Sequence, residues 1–423
     1  MSQEAIPLPQ QMSHSPSSTP SSRSPPPTIM EYMTEWVLRD IEFCIGCNRC
    51  MDACPVSKEP FTIGELNLAT SPEGNLPNSI REFALNCVQC GRCVPVCPAG
   101  ARRDYMVLFI KCRLPGNLPS RAEHYLKIKG PFVSGLGKLQ QRVYSSTQKV
   151  IHRDLAPYME SEIADDAPKG GLLFYPGCYI YNTKLTRRQM RLLEHVGEPF
   201  SVLAGLNTCC GVPQLVLGEF YLADQCLDSL HRRIMKARPK TIVTSCAECL
   251  EALLRIRAKH HESFEVLSVL EYLLRNIDRF PEVKLRGKVT LHDSCRMTRK
   301  YHRGSAPRAV LDRFCESVEM ENSGQDTMCC YYWNLEHDPA NTEHRLDRIR
   351  SARKIADTMA CDCISCFEKY ESFSGNGFEV LDILQLFEES IEHSRSMVGE
   401  IETGGLSEVG NGDEGTTDGG GGP

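Results

Sequence analysis

At 423 residues the chain is long enough for two or three domains, each burying its own core. Charged residues make up 24% and the formal net charge is -6, which argues against a nucleic-acid partner, and no apolar run approaches the roughly 18 residues of a transmembrane segment. The 22 cysteines, many in Cys-x-x-Cys groups and with no apolar secretory core ahead of them, point to metal ligation in a reducing, cytoplasmic compartment rather than to disulfides.

Residues 1–34, rich in Ser and Pro, read as a disordered tail. Residues 35–113 follow as a compact module holding two copies of one spacing, Cys44-x2-Cys47-x2-Cys50-x3-Cys54-Pro and Cys87-x2-Cys90-x2-Cys93-x3-Cys97-Pro. This is the ligand run of a two-cluster ferredoxin, in which the fourth cysteine crosses to the other cluster. Cys44, Cys47, Cys50 and Cys97 are therefore assigned to one 4Fe-4S cubane, and Cys87, Cys90, Cys93 and Cys54 to a second. A pair of zinc sites is the alternative, but it leaves the duplicated Cys-Pro unexplained. The long insert between the motifs favours a helical module: Asn78 to Asn86 reads as helical turns and Ser71-Pro72-Glu73-Gly74 as a turn.

Residues 114–169 are expected to form a basic connector. Between 102 and 153 stand Arg102, Arg103, Lys111, Arg113, Arg121, Lys127, Lys129, Lys138, Arg142, Lys149 and Arg153, against Asp104 and Glu123 alone, with Phe109, Tyr125, Phe132 and Tyr144 interleaved. This segment is either a solvated linker or a strip for an acidic partner subunit or an anionic membrane face.

Residues 170–286 and 287–393 read as two copies of one α/β unit, and 394–423 as a disordered Gly-rich, acidic tail. The first unit has strand Gly171 to Tyr175 leading to Cys178, then Cys209-Cys210-Gly211, then strand Thr241 to Thr244 leading to Cys246 and Cys249. The second has strand Lys288 to His292, Cys295, Cys329-Cys330, and Cys363 with Cys366. Leu185 to Val196 and Leu222 to Met235 read as helices between strands, and Phe264 to Glu271 matches Phe378 to Gln385 at the close of each unit. Cys112, Cys226, Cys315 and Cys361 stand outside the pattern, Cys226 and Cys315 as core residues and Cys361 as an alternative ligand.

This constellation resembles the heterodisulfide reductase family, in the form where a dicluster ferredoxin module is fused to a duplicated CCG, or cysteine-rich, domain. The resemblance implies an α+β multidomain fold with metal sites at Cys178, Cys209, Cys210, Cys246 and Cys249, and at Cys295, Cys329, Cys330, Cys363 and Cys366. One or two further 4Fe-4S clusters, of noncubane type in that family, would occupy them. One departure stands out: Cys329-Cys330 is followed by Tyr331, not glycine.

The function implied is an iron-sulfur electron-transfer subunit that carries electrons through the ferredoxin clusters to the CCG sites and cleaves a disulfide. Cys295, Cys329 and Cys330 are the catalytic candidates there, and His292, just ahead of Cys295, is a candidate proton donor whose competing reading is a core histidine. The alternative is an iron-sulfur relay subunit of a flavoprotein dehydrogenase of the glycolate, lactate or glycerol-3-phosphate type, feeding quinone. The partners expected are a flavoprotein or other electron-donor subunit and a quinone-reactive membrane subunit, with the chain itself cytoplasmic or peripheral on the inner membrane face. No GxGxxG follows a strand, so no flavin or nicotinamide is expected on this chain.

Overall fold

The computed structural model describes residues 28–57, 61–71, 74–114, 128–164, 169–333 and 339–404. The expected tails at 1–27 and 405–423, part of the turn at Pro72 and Glu73, and the basic residues Arg121 and Lys127 lie outside them. The chain is helical at its N-terminal end and turns to parallel α/β architecture after residue 170.

The first helix, Ile29–Glu42, starts at a reciprocal cap in which the Thr28 side chain accepts from the Glu31 amide and the Glu31 carboxylate accepts from the Thr28 amide. The boundary drawn at residue 34 thus falls inside a helix. The insert between the two cysteine motifs forms helices Ile63–Thr70 and Asn78–Asn86, and Arg103–Cys112 follows the second motif. Ile63, Leu66, Ile80, Phe83, Val107 and Ile110 close a core between these three helices. The Phe61 and Phe83 rings meet edge to face at 5.1 Å within it. Within the segment expected as a basic connector, a 17-residue helix, Gly135–Ile151, precedes the α/β region.

Among the described residues eight short strands then build two sheets. In the first unit β1 (Leu172–Gly177), β2 (Phe200–Ala204), β3 (Thr241–Thr244) and β4 (Glu265–Ser268) lie in the order β2-β1-β3-β4, all parallel. The second unit repeats this with β5 (Lys288–His292), β6 (Glu316–Val318), β7 (Thr358–Cys361) and β8 (Glu379–Asp382) in the order β6-β5-β7-β8. Leu172 to Tyr175 are wholly buried, as strands covered by helices on both faces must be. Helices Thr183–Val196 and Phe220–Ala237 fill the crossovers where the sequence placed them.

The units pack reciprocally. Arg188 of the first reaches Asp382 at 2.9 Å and Glu388 at 2.6 Å in the second. Arg303 of the second reaches Glu271 at 2.6 Å in the first and donates to the Val266 carbonyl. One apolar cluster runs through both units and takes in Met33 and Leu108 of the helical module. The last helix, Gln385–Gly404, continues past residue 393, where the acidic tail was expected to begin.

Candidate cysteine sites

The repeated motif imposes a repeated backbone. In the first loop Gly46 (φ 69°) and Asn48 (φ 63°) take left-handed conformations, and in the second Gln89 (φ 55°) and Gly91 (φ 71°) do so at the same offsets from Cys44 and Cys87. Gly and Asn tolerate that region and Gln89 does not, so its strain is held by burial and by side-chain donation to Cys87 Sγ (3.4 Å) and the Asp104 carbonyl (3.2 Å). The Gly46 amide donates to Cys44 Sγ at 3.4 Å and the Ala101 amide to Cys97 Sγ at 3.3 Å.

These turns bring the eight cysteines to two neighbouring cavities. Cys44, Cys47, Cys50 and Cys97 line one of about 250 Å³, and Cys54, Cys87, Cys90 and Cys93 line another of about 480 Å³, volumes that include open solvent. Cys50 borders both. Cys47 is exposed, and Phe43 (62% exposed) and Ile45 (69%) flank it with apolar surface. In the inner group Cys90 is buried and Cys54, Cys87 and Cys93 are half-buried; burial, reinforced by Cys87, pushes the Cys54 thiol up to about 12. Such thiols become thiolates only against a metal. Among the described residues no three His, Cys, Asp or Glu side chains converge on a single-ion position. The donor set, all sulfur and arranged around a cavity, fits a cluster better than one ion.

In the α/β units, every strand that delivers a cysteine does so at its carboxyl end, beside the point where strand order reverses. The first unit links its thiols in a chain: Cys178 to Cys209, Cys209 to Cys210, Cys210 to Cys249 and Cys249 to Cys246. The second does the same, with Cys295 and Cys329 sulfurs 4.0 Å apart and Cys330 and Cys366 sulfurs 3.4 Å apart, and with Cys329 to Cys330 and Cys366 to Cys363 closing the set. In each unit the second cysteine of the adjacent pair is the acidic one. Hydrogen bonds from Cys209 and Cys249 lower Cys210, and those from Cys329 and Cys366 lower Cys330. All ten candidates of the α/β region are thus assembled in two like groups, the second despite Tyr331.

What surrounds the groups differs. Gly211 turns at φ 82°, and a Cβ there would lie 2.8 Å from the Ala223 carbonyl oxygen and from Cys226 Cβ. Tyr331 turns at φ 56°, the same left-handed region, with its ring stacked on His344 (centroids 5.0 Å apart) and packed with Val88, Cys90 and Cys329. The side chain that the motif lacks elsewhere is here the contact between the second unit and the ferredoxin-like module. Across the same contact Arg299 donates to the Cys90 carbonyl at 3.0 Å, and Cys90, raised chiefly by burial, also feels Cys295. Cys246, pushed up to about 12 mainly by burial, feels Cys363 of the other unit.

His292 ends β5 with no exposure, and Arg348 Nε donates to its Nδ1 at 3.2 Å. Burial and then the Arg348 charge hold it well below the usual histidine range, so it is a neutral imidazole with its proton on Nε2. It stands beside the buried Tyr370, ring centroids 4.6 Å apart. Cys361 lies in β7 itself, and Cys226 and Cys315 are core residues. Cys112 is half-buried at the edge of the first unit's core.

Three features lay beyond sequence reasoning. Lys129, counted in the basic segment, turns inward and hydrogen-bonds Cys178; against burial, which works the other way, the Cys178 and Cys209 sulfurs raise its ammonium. Its backbone is pinned by Gln214 donating to the Lys129 carbonyl (3.0 Å) and by the Gly130 amide donating to the Leu206 carbonyl (2.9 Å). A half-buried carboxyl, Asp362, is pushed up to about 8 by desolvation and by Asp293, and accepts the Ser294 amide at 2.7 Å. Finally, Lys300 links Asp104 (3.2 Å) of the helical module to Glu251 (3.8 Å) of the first unit, where Arg296 of the second also binds Glu251 at 2.5 Å. All three parts meet in that charge network. No single residue type or spacing announces it.

Comparison with known proteins agrees with this anatomy in the ferredoxin-like module and the first α/β unit. Residues 43–101 match a family described as 4Fe-4S dicluster domain, and residues 172–253 one described as Cysteine-rich domain. Among curated proteins, one subunit of the fumarate reductase (CoM/CoB) of Methanothermobacter marburgensis is 25% identical over 301 residues, 68% of this chain and 58% of that protein. One subunit of the dihydromethanophenazine:CoB--CoM heterodisulfide reductase of Methanosarcina barkeri is 27% identical over 176 residues, 38% of this chain and 43% of that one. The EtfAB:quinone oxidoreductase of Syntrophomonas wolfei is 26% identical over 180 residues, 41% of this chain and 25% of that one. The chain therefore spans 58% or less of the length of these relatives. It carries an iron-sulfur dicluster domain followed by a cysteine-rich domain, and is similar to subunits of heterodisulfide reductase and of other oxidoreductases.

Proposed function

We propose that this chain is an iron-sulfur electron-transfer subunit of a heterodisulfide-reductase-like oxidoreductase. Its four cysteine groups would stand in one line, with the outer ferredoxin group as the entrance. The observation that carries the reading is contiguity: Cys50 borders both ferredoxin cavities, Cys90 adjoins Cys295 and Cys329, and Cys246 lies within electrostatic reach of Cys363. When bound, 4Fe-4S clusters supply one-electron transfer at potentials set by charge, hydrogen bonds and exposure.

The chain's own residues do the rest. Cys44, Cys47, Cys50 and Cys97 would hold the outer cubane, with Phe43 and Ile45 offering a donor subunit apolar surface beside exposed Cys47. Cys87, Cys90, Cys93 and Cys54 would hold the inner one, where none of the four is as exposed as Cys47. Cys295, Cys329, Cys330, Cys363 and Cys366 would form the next site, and Cys178, Cys209, Cys210, Cys246 and Cys249 the last. Disulfide cleavage at the paired five-cysteine sites takes two electrons and two protons and gives two thiols. Lys129 against Cys178 and the carboxyl of Asp362 beside Cys363 are the groups placed to offset charge or hold a proton there.

Anaerobic purification of the full chain, with iron, sulfide and zinc counted, tests the assignment. Four filled sites give about 16 irons and one vacant five-cysteine site about 12. Stoichiometric zinc without acid-labile sulfide would overturn it. Adding a mixed disulfide to the dithionite-reduced protein separates the finer readings: thiol release supports cleavage here, and its absence leaves electron transfer alone.

A further inference from the structure

The helix Gly135–Ile151 is amphipathic in the wrong sense for a helix resting on a folded core. Its inward face is polar: Gln141 (4% exposed) donates to the carbonyls of Ile128 and Gly130 at 3.0 and 3.2 Å, and Ser145 (6%) donates to Glu160 at 3.0 Å and accepts from Tyr181 at 2.7 Å. Its outward face carries an apolar stripe, interrupted between Val143 and Val150 by exposed Ser146 and Thr147 and bordered by exposed Gln140. Leu136, Leu139, Val143 and Val150 are 70, 58, 57 and 70% exposed, and their spacing of three, four and seven puts them on one stripe about 21 Å long at 1.5 Å per residue.

Charge says what covers that stripe. Lys138, Arg142 and Lys149, spaced four and seven, run along one flank, Lys138 with its ammonium donating to Gln141 Oε1 at 3.1 Å, and no Asp or Glu occurs between Ser134 and Arg153 in a chain whose net charge is -6. Exposed Phe132 (43%) and Tyr144 (40%) add aromatic rings of the kind favoured at a membrane–water boundary. A locally basic, acid-free face with an apolar ridge on an otherwise acidic molecule is matched by an anionic plane with an apolar interior. Long basic side chains there keep their charge among head groups while the ridge enters the acyl boundary. Among the described residues no helix is long and apolar enough to cross a membrane, so this mode of attachment lies in the plane.

We propose that the helix Gly135–Ile151 is a docking surface for an anionic lipid bilayer, with Leu136, Leu139, Val143 and Val150 inserted and Lys138, Arg142 and Lys149 at the head groups. The inference goes beyond the electron-transfer reading and stands apart from it, because iron content is measured in the same samples. The test is co-sedimentation of the full cluster-loaded chain with vesicles of phosphatidylcholine alone or with one quarter phosphatidylglycerol.

Binding to the anionic vesicles at low salt, weakened by salt, is expected. The triple variant Lys138→Glu, Arg142→Glu, Lys149→Glu should bind on the order of a hundredfold more weakly. The double variant Leu139→Glu, Val143→Glu should lose binding with iron content unchanged. Leu139→Trp should show indole emission shifted to the blue on adding anionic vesicles. Wild-type protein left in the supernatant at low salt, or variants that bind as well as wild type, would overturn the proposal. So would a concentration-dependent dimer that disappears in the Leu139→Glu, Val143→Glu variant while vesicles remain unbound, since the stripe would then join two copies of this chain.

Discussion

The two α/β units carry the same five cysteines on the same strand order, yet what presses on each group differs. The first group is approached by a cation, Lys129, brought in by the segment that precedes the unit, and turns on an obligatory glycine at Gly211. The second is approached by the ferredoxin-like module, through Tyr331 against Cys90 and Arg299 on the Cys90 carbonyl. The two units share one arrangement of thiols and differ in what surrounds it. The second group is next to the inner ferredoxin cysteines, and in the proposed line the first is a step further on.

The strongest way to break this comparison is to remove one site at a time. Cys330→Ser should prevent reduction of the first α/β site by the ferredoxin module, whereas Cys210→Ser should leave reduction of the second intact. Freeze-quenched paramagnetic resonance after mixing with reductant reads both, and normal reduction of the first site in Cys330→Ser would refute the order of sites.

Next in size is the charge network that holds the three parts together. Arg296→Met strips Glu251 and Glu248 of a buried partner and should cost about 3–5 kcal/mol, read as a lower denaturation midpoint. Asp104, which burial alone would raise, is instead held well below the usual carboxylate range by Arg102 and Lys300. A depressed carboxyl stabilises the folded state above its unfolded pKa and loses that contribution as pH falls through the folded value. The wild type should therefore lose more stability on acidification than Lys300→Met, in which that depression is weakened. Equal acid sensitivity would remove the network from the account.

The turn residues sharpen the comparison further. Gly211→Ala forces a Cβ to within 2.8 Å of backbone at positive φ and should reduce iron retention in the first unit. Tyr331→Gly relieves a left-handed tyrosine, worth about 1 kcal/mol, but removes a buried ring, for a net loss of about 2–3 kcal/mol. It should also slow electron passage from the ferredoxin module, and Tyr331→Phe should not; an unslowed Tyr331→Gly would make that contact incidental.

The smallest effect is expected at Lys129. Lys129→Met removes a positive charge from Cys178 and should lower the reduction potential of the first site by tens of millivolts, where tenfold in a one-electron equilibrium is about 59 mV. The second site should not move. A redox titration that shifts both equally would deny the cation its local role.

Much of this was legible because covalent spacing constrains metal sites tightly. The duplicated ferredoxin run and the two five-cysteine sets are recognisable from position alone, and hydrophobic runs at Leu172 to Tyr175 and Thr241 to Thr244 mark the strands that carry them. What escaped notice depends on long-range contact. The basic count between 102 and 153 merges residues with unlike fates: Arg103 and Lys111 are buried in the ferredoxin core, Lys129 faces a thiol, and Lys138 and Arg142 border an outward face. Tyr331 reads as damage to a motif until its neighbour 241 positions earlier, Cys90, is in view. The helix start at Ile29 was available in Thr28-x-x-Glu31, a local cap hidden by a Ser- and Pro-rich approach.

The helix Arg103–Cys112 is a party wall. Met106, Val107, Leu108, Phe109 and Ile110 are all buried, Val107 and Ile110 against the ferredoxin core and Leu108 against the first unit, while Lys111 donates to the carbonyls of Cys87 and of Val216. A chain cut after Arg113 would expose one side of that wall and leave a buried lysine with half its partners. The ferredoxin spacing can be excised on paper, but an isolated fragment should be sticky and lose iron faster than the whole protein. Any transplant of this module into another electron-transfer protein must therefore supply a replacement for the tenant next door.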